Sequence, residues 1–247
     1  QAGLDYSLYQ NGLFRTYVYP PSFNSANLSI RSFISRGQEK VIGSRDGLFY
    51  INEATGTVKS FVKPVLTSDL ILTISFYQGE YYIGTYGGGM MVLNPETLSL
   101  KYFAQSDTEL FQKGHIFCVK PDTKGNLWIG TSQGLFSYNG QAKQIKHFTS
   151  ANSQLPEGNV YEVSFDSTGK GWIATETGMC IYDPASQSLR SNVFPEGFVN
   201  KDKVRTIYED SEHNLYFIRE KGSLFTSTLT MDHFRNQSVF STLPDNS

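Results

Sequence analysis

The stretch GNLWIGTSQGLFSYN, residues 125–139, decides the fold predicted for this chain. It contains two short apolar runs, 127–129 and 135–138, separated by a turn that ends at Gly134. Short β-rich runs separated by glycine predict paired β-strands rather than helices. The pattern recurs four more times at spacings of 41, 46, 44 and 44 residues. The residues at the place of Trp128 are Val41, Tyr82, Trp172 and Tyr216.

Each copy of the repeat predicts four strands, A to D. A turn such as Asp122–Gly125 or Asp166–Gly169 joins strand A to strand B, and a turn ending at the recurring glycine opens strand C. Four short strands in 40 to 50 residues are typical of one blade of a β-propeller. The predicted A strands are Ile30–Ile34, Leu70–Phe76, His115–Val119, Val160–Phe165 and Val204–Tyr208.

The predicted fold class is therefore all-β, a β-propeller of four-stranded antiparallel blades. No window of a dozen residues keeps apolar positions at helical spacing without an intervening Gly or Pro. We expect one propeller segment over residues 1–247, cut at both ends and part of a seven-bladed ring. The expected repeats are a half blade at 1–28 and five blades at 29–68, 69–113, 114–157, 158–201 and 202–242.

Several repeated residues have a structural explanation in this fold. An indole or phenol at the start of strand B can fill the gap between neighbouring blades, and small residues let the inner turn pack closely. We prefer this role to a ligand box for the aromatic residues. The residues of this blade motif are Trp128, Gly130, Thr131, Gly134, Trp172, Tyr82 and Tyr216.

Composition and charge exclude some classes of partner. The chain has 21 Lys and Arg against 23 Asp and Glu, without a basic stripe that would hold a phosphate backbone, so we expect no nucleic-acid contact. Its apolar runs are far shorter than the roughly 20 residues that span a bilayer, so we expect no membrane span. Cys118 and Cys180 lie 62 residues apart and are predicted to be buried thiols rather than a metal or redox pair.

The sequence offers little support for catalysis. The four histidines are scattered singly, no zinc-binding spacing occurs, and no G-x-S-x-G nucleophile turn is present. The carboxylates Glu209, Asp210 and Glu196 lie beside turns, and the inward positions of strand A are mostly uncharged. We therefore predict no catalytic residue, no metal site and no cofactor, and keep a propeller hydrolase or lyase as an alternative.

A ligand site should lie at one mouth of the ring, where the loops entering strand A meet the turns between strands B and C. Aromatic faces, Arg side chains and amides at that edge would suit an oligosaccharide. Asp46, Gln133 and Glu220 also occupy these loops. The predicted ligand-binding residues are Arg31, Arg45, Tyr86, His115, Tyr161, Glu176 and Arg205. Arg31 and Arg205, at equivalent places on strand A, could instead form salt bridges between blades.

The repeat resembles the two-component regulator propeller repeat. The resemblance rests on Tyr208–Asp210 at the end of strand A, on 125–131 and on Gly134-Leu135, and it covers residues 30 to 240. It is clearest in the third and fourth copies and weakest in the fifth, where His213 replaces the turn glycine and Arg219 the threonine. The Gly-His and Trp-Asp pairing of WD repeats does not occur.

This resemblance implies a non-catalytic periplasmic sensor module of a hybrid two-component system. In such proteins, tandem propellers precede a β-sandwich, a membrane helix, a histidine kinase, a receiver and a DNA-binding domain. The resemblance further implies an oligosaccharide ligand, regulation of glycan-utilisation genes, and a homodimer formed by the parent ectodomain. A scaffold that binds only protein remains an alternative.

Overall fold

The computed structural model describes residues 3–7, 14–18, 29–103, 109–191, 203–219, 224–228 and 235–236. These residues form five four-stranded antiparallel sheets and one two-stranded sheet, β1–β2. In each four-stranded sheet the strands pair in the order in which they occur along the chain. The all-β class and the four-stranded repeat predicted from the sequence are therefore confirmed.

The strands are grouped into one two-stranded sheet and five blades. The two-stranded sheet contains β1 (Gly3–Ser7) and β2 (Phe14–Val18). Blade 1 contains β3 (Ile30–Arg36), β4 (Glu39–Ser44), β5 (Leu48–Asn52) and β6 (Thr57–Phe61). Blade 2 contains β7 (Ile71–Tyr77), β8 (Glu80–Thr85), β9 (Met90–Leu93) and β10 (Leu100–Tyr102).

The remaining blades have the same organisation. A short helix, α1 (Leu110–Lys113), precedes blade 3, which contains β11 (Ile116–Pro121), β12 (Asn126–Thr131), β13 (Gly134–Asn139) and β14 (Gln144–Phe148). Blade 4 contains β15 (Val160–Phe165), β16 (Gly171–Thr175), β17 (Gly178–Asp183) and β18 (Ser188–Arg190). Blade 5 contains β19 (Val204–Glu209), β20 (Asn214–Arg219), β21 (Leu224–Thr228) and β22 (Arg235–Asn236). The first strands of successive blades contact one another, which places them innermost.

Helix α1 is a feature that the strand pattern did not predict. Its Leu110 and Phe111 are buried, and Phe111 packs edge-on against Phe103 and Phe136, with ring centroids 5.1 Å away in both cases. Four residues are too few to show a helical period in the sequence. The helical turn therefore forms because tertiary packing buries its two apolar side chains.

The repeated aromatic residues pack between blades. Trp128, 1% exposed, belongs to the same buried cluster as Val160 and Val163 of blade 4. Trp172 packs in the same way against Val204 and its neighbours in blade 5, and Tyr82 against the first strand of blade 3. Blades 2, 3 and 4 thus each bury a large side chain of the second strand against the next blade.

In three blades, a hydrogen bond joins the aromatic side chain of the second strand to the first turn of the same blade. The Asp122 carboxylate accepts the Trp128 indole N–H at 2.9 Å, and Asp166 accepts that of Trp172 at 2.8 Å. In blade 5, the Tyr216 hydroxyl donates to Asp210 at 2.9 Å. The same carboxylates accept backbone N–H groups of their turns, as expected for an Asp at this place. One side chain therefore organises both the turn and the inter-blade residue.

The second turn is stabilised by a repeated hydroxyl. Thr131 Oγ1 donates to the carbonyl of Gly134 at 2.8 Å, and Ser44, Thr85 and Thr175 make the same bond in their blades. Gly130 is required beside it, because a Cβ there would lie 2.5 Å from Cys118 Sγ and 2.7 Å from the carbonyl of Val160. Gly134 itself has a φ of 106°, which disfavours other residues.

Both cysteines are free and buried, as predicted. Cys118 lies on β11 and Cys180 on β17, and both belong to the cluster that contains Trp128. Burial raises the pKa of each thiol above its ordinary value. The thiols therefore act as small apolar side chains in this core.

Removal of the turn carboxylate in blade 4 should destabilise the protein. Asp166→Ala leaves the N–H groups of Trp172, Lys170 and Thr168 without their acceptor, and we expect the free energy of unfolding to fall by about 2 kcal/mol or more. Urea unfolding measures this value. Ser167→Ala, at an exposed position of the same turn, is the control and should change it by less than about 0.5 kcal/mol. Equal stability of the two variants would contradict the role assigned to Asp166.

Asp210 should give the stability a distinct acid dependence. Hydrogen bonds, first from the backbone N–H of Asn214, lower its pKa to about 2. Because the pKa is near 3.9 in an unfolded chain, this contribution is complete above about pH 4 and is lost as the pH falls towards 2. Asp210→Asn should therefore show a smaller loss of stability between pH 4 and 2. Glu212→Gln, which removes a carboxylate from the same turn, should retain the decline of the unmodified protein.

Candidate functional site

A β-bulge at the same place in all five blades orients one side chain of each innermost strand. Pairing between the first and second strands skips the second residue of the first strand in every blade. A bulge leaves this residue outside the ladder and re-aims its side chain. The five bulge residues are Arg31, Leu72, Phe117, Tyr161 and Arg205.

Three of the bulge residues contact one another across blades 3, 4 and 5. The ring centroids of Phe117 and Tyr161 are 5.1 Å apart. The guanidinium carbon of Arg205 lies 4.5 Å from the centre of the Tyr161 ring, and the Lys203 ammonium lies 5.0 Å from it. Two cations thus lie within cation–π distance of one partly exposed phenol.

The aromatic contacts continue into blade 2. His115 stacks on Tyr86 with centroids 4.0 Å apart and an interplanar angle of 25°, and its centroid lies 6.1 Å from that of Phe117. Tyr86 is 51% exposed. We call the set Tyr86, His115, Phe117 and Tyr161, with the cations Lys203 and Arg205, the aromatic row.

Repeated backbone hydrogen bonds join the turn between strands B and C to the loop that enters strand A of the same blade. The first residue of the turn between strands B and C donates its N–H to the residue just before strand A. These bonds join Arg45 to Ser29, Tyr86 to Leu70, Ser132 to His115 and Glu176 to Asn159, at 3.0, 3.0, 3.2 and 2.9 Å. The two sets of loops therefore lie at one edge of the blades.

Glu176 joins the row through Asn159. Its carboxylate accepts the Asn159 N–H at 3.3 Å, and the Asn159 amide donates to the Tyr161 hydroxyl at 3.0 Å. The Nδ1 atom of His115 is buried and has no hydrogen-bond partner among the described residues. Polar groups are thus positioned beside the aromatic faces.

The structure groups the predicted ligand-binding residues into two sets. Tyr86, His115, Tyr161, Glu176 and Arg205 come together in or beside the aromatic row. Arg31 and Arg45 lie on blade 1, exposed, and the structure shows no contact between them and the row's aromatic rings. Of the further loop residues, Asp46 and Gln133 lie at second turns, and Glu220 lies outside the described residues.

The sequence analysis missed two members of the aromatic row, Phe117 and Lys203. Phe117 occupies the same place in its repeat as Arg31 and Arg205, so an alignment of the five copies could have identified it. Lys203 precedes strand A directly, where blade 3 has His115. Its contact with Tyr161 joins two blades and has no signature in the local sequence.

The innermost strands carry more charge than the sequence analysis expected. Glu162, next to the bulge residue Tyr161, lies 3.5 Å from the Lys120 ammonium of blade 3. Burial raises the pKa of Glu162, and Lys120 opposes this effect. Glu162 of blade 4 therefore forms an inter-blade ion pair with Lys120 of blade 3.

The described residues were compared with the requirements of a metal site and of a membrane-spanning helix, and they meet neither. They contain no group of three or more His, Cys, Asp or Glu side chains that could hold a metal ion. Nor do they contain a helix with the length and apolar character needed to cross a bilayer.

Comparison with known proteins addresses the family of the repeat. Residues 111–133, which include β11, β12 and the turn between them, match the family model described as the two component regulator propeller. The resemblance seen in the sequence is thus confirmed. This segment is therefore similar to a two component regulator propeller repeat. A comparison with curated protein sequences gives no match.

Solved structures with the same fold include extracellular domains of bacterial regulators. The extracellular domain of BT3049 from B. thetaiotaomicron, described as a hybrid two component system, is 26% identical, with a TM-score of 0.65. The alignment covers 92% of this chain and 31% of that one, so the chain spans about a third of this relative. The corresponding domain of BT4673 from the same organism is 19% identical, with a TM-score of 0.71, over 87% and 28% of the two chains.

A third structure supports the propeller fold alone. YCF48 bound to D1 peptide aligns over 94% of this chain and 73% of its own, with 12% identity and a TM-score of 0.67. With the five described sheets and the partial one, these likenesses confirm the β-propeller. The variable loops of this propeller, including the aromatic row, thus lie at one edge of the blades.

The ion pair between Lys120 and Glu162 provides a test of the charge at this propeller's centre. Lys120→Met leaves a partly buried carboxylate without its cation, so the pKa of Glu162 should rise further and stability should fall by about 0.5–1 kcal/mol at neutral pH. The loss should be small below pH 4, where Glu162 is protonated in both states, and should grow as the pH rises. Thermal unfolding between pH 3 and 8 measures it. Adding Glu162→Gln should remove this pH dependence, and a loss that persists unchanged would refute the pairing.

Proposed function

We propose that this chain is a ligand-binding propeller of an extracytoplasmic sensor of the hybrid two-component class, and that its aromatic row binds an oligosaccharide. The observation that carries the proposal is the aromatic row itself, which joins blades 2 to 5 through ring and cation contacts. The ligand would lie across the row, at the edge of the blades where the variable loops meet.

The sensor class is supported by the regulator propeller repeat and by the likeness to the BT3049 extracellular domain. A chain of this kind would lie in the periplasm, as part of an inner-membrane protein. The histidine kinase, receiver and DNA-binding activities would belong to other parts of the parent protein. Binding would favour one of two states of a dimeric ectodomain, and the signal would pass through the membrane by that shift.

The chemistry of the row suits a sugar chain. Partly exposed aromatic rings can pack on the C–H faces of pyranose rings. Arg205 and Lys203 can bind hydroxyl or carboxylate oxygens, and the Tyr161 hydroxyl is held by Asn159. Because the row extends over several blades, it favours a linear oligomer over a single sugar.

A binding role is preferred to a catalytic one. Glycoside hydrolysis commonly needs two carboxyl groups about 5 to 9.5 Å apart across the scissile bond. Glu162, the carboxylate on the innermost strand next to the row, pairs instead with Lys120. Regulation of glycan-utilisation genes would then follow from binding alone.

Substitution of the central phenol should test the ligand site. We expect Tyr161→Ala to weaken oligosaccharide binding at least tenfold, because the residue contacts Phe117, Arg205 and Lys203 at the middle of the row. Calorimetric titration of the intact ectodomain with a panel of plant, host and microbial oligosaccharides measures this change. Tyr102→Ala is the matched control, since Tyr102 is 44% exposed on β10 and lies outside the row.

The same titration separates the competing functions. Binding that is equal in the Tyr161→Ala and Tyr102→Ala variants would contradict a site at the aromatic row. Absence of heat with every oligosaccharide, together with capture of a protein partner, would favour a scaffold. Release of shortened sugars would favour a hydrolase or lyase.

A further inference from the structure

A polar groove lies between blades 3 and 4, away from the aromatic row. Its volume is about 250 Å³. Lys124 and Ala142 border it from the turns between strands A and B and between strands C and D, which lie at the opposite strand ends from the row. The lining residues are Lys124, Asn126, Trp128, Ser137, Asn139, Ala142, Gln144, Lys146, Phe148, Tyr182 and Gln187.

Strand register explains why these side chains share one surface. Trp128 pairs with Ser137, and Ser137 with Lys146, so the three form one row across blade 3. Two residues farther along each strand, Asn126, Asn139 and Gln144 form a second row on the same face. This face lies against blade 4, which contributes Tyr182 and Gln187.

A small residue in blade 3 accounts for the open space. The position of Ser137 is occupied by Tyr50 in blade 1, Val92 in blade 2 and Ile181 in blade 4. Each of these larger side chains is buried. A serine at this position leaves room that blades 1, 2 and 4 fill with apolar atoms, whereas blade 5 has Thr226 there.

In blades 2 and 4, a basic residue on the fourth strand forms an ion pair with an acid of the same blade, and blade 3 lacks such an acid. Lys101 of blade 2 lies 3.2 Å from Glu80, and Arg190 of blade 4 lies 3.3 Å from Asp183. The corresponding cation of blade 3 is Lys146, which has no ion-pair partner among the described residues.

Amides replace both acids in blade 3. Asn126 stands at the place of Glu80, and Asn139 at the place of Asp183. The Lys146 ammonium therefore borders the groove without a carboxylate to balance it.

The groove offers both hydrogen-bonding groups and aromatic walls. Within the part of the chain that the structure describes, the side chains of Ser137, Gln144 and Gln187 make no hydrogen bond. Phe148 and Tyr182 both contact Trp128, with ring centroids 5.8 and 4.4 Å from that of the indole.

Two cations, Lys124 and Lys146, border the groove, and the ammonium of Lys146 makes neither an ion pair nor a hydrogen bond within the described residues. Lys124 donates to the carbonyl of Pro184 at 2.9 Å. Asp122, the carboxylate beside the groove, already accepts the Trp128 indole and the Asn126 amide. A ligand with one negative charge would therefore be attracted to Lys146.

We propose that this groove binds a carboxylated monosaccharide, a hexuronate. Its carboxylate would pair with Lys146, its hydroxyls would bind Ser137 and the glutamine amides, and a C–H face would pack on Tyr182. The volume is below the roughly 300–1,000 Å³ of sites for drug-sized ligands, which fits a single sugar unit. The site is separate from the oligosaccharide site proposed at the aromatic row.

Nuclear magnetic resonance of the intact protein can test this site through its two tryptophans. Titration with sodium D-glucuronate and D-galacturonate should shift the Trp128 indole N–H signal saturably and leave that of Trp172, which does not line the groove, in place. D-glucose, acetate and inorganic phosphate are the comparison probes and should bind at least fivefold more weakly. Affinity should fall as salt is raised.

Three variants examine the charge and the space separately. Lys146→Gln should weaken hexuronate binding at least fivefold, and Asn139→Asp should do the same by supplying the acid that blade 4 has in Asp183. Ser137→Ile should abolish binding by filling the groove as Ile181 does in blade 4. Lys101→Gln, at the equivalent position of blade 2, is the control and should bind like the unmodified protein.

Several outcomes would overturn the proposal. Unchanged binding in Lys146→Gln and Asn139→Asp would exclude the groove, and the nearly isosteric Asn139→Asp keeps this test valid if Ser137→Ile does not fold. Equal binding of acetate or phosphate would indicate an adventitious ion only. Loss of hexuronate binding in Tyr161→Ala would place the hexuronate at the aromatic row instead of the groove. If the aromatic row binds no oligosaccharide, the hexuronate titration still tests the groove independently.

Discussion

The packing of a large second-strand side chain of blades 2, 3 and 4 against the next blade is the interaction on which the rest of the structure depends. Trp128 and Trp172 are almost completely buried between neighbouring blades, and no strand-to-strand hydrogen bonds join the described sheets of those blades. A four-stranded sheet cannot bury both of its faces alone, so its stability comes from its neighbours. The carboxylates of Asp122 and Asp166 fix the indoles and the first turns together, which couples the local turn geometry to the inter-blade contact.

This arrangement separates the parts of the repeat that must stay constant from those that can vary. The hydroxyl and glycine of the second turn satisfy its backbone and allow close packing, as Thr131 and Gly130 show. The bulge residue next to that turn makes no ladder pair, so it can be Arg, Leu, Phe or Tyr without disturbing the sheet. The aromatic row arises where several of these unconstrained positions hold aromatic or basic residues.

Comparison of blades 2, 3 and 4 shows how small departures from the repeat create polar surfaces. Lys101 and Arg190 are each balanced by an acid of the same blade. Blade 3 has amides in both acid positions and Ser137 in place of a larger residue. The same backbone thus carries a closed, neutralised interface in one blade and an open, basic groove in another.

The sequence by itself determined the all-β class, the number of complete blades, most strand positions and the edge where the variable loops meet. These properties are local and repeated five times, so each copy supports the others. It could not reveal α1, because a four-residue turn depends on burial of Leu110 and Phe111. Nor could it reveal the pairing of Lys120 with Glu162, since those residues are 42 positions apart and on different blades.

Only the tertiary structure decided which loop residues meet. Tyr86, His115 and Tyr161 belong to three different repeats, and their approach through Phe117 depends on how the blades are placed side by side. Arg31 has the same position in its repeat as Arg205, yet Arg205 contacts Tyr161, and the structure shows no such aromatic contact for Arg31. The physical reason is that a repeat specifies the direction of a side chain, whereas its contacts are supplied by the neighbouring blade.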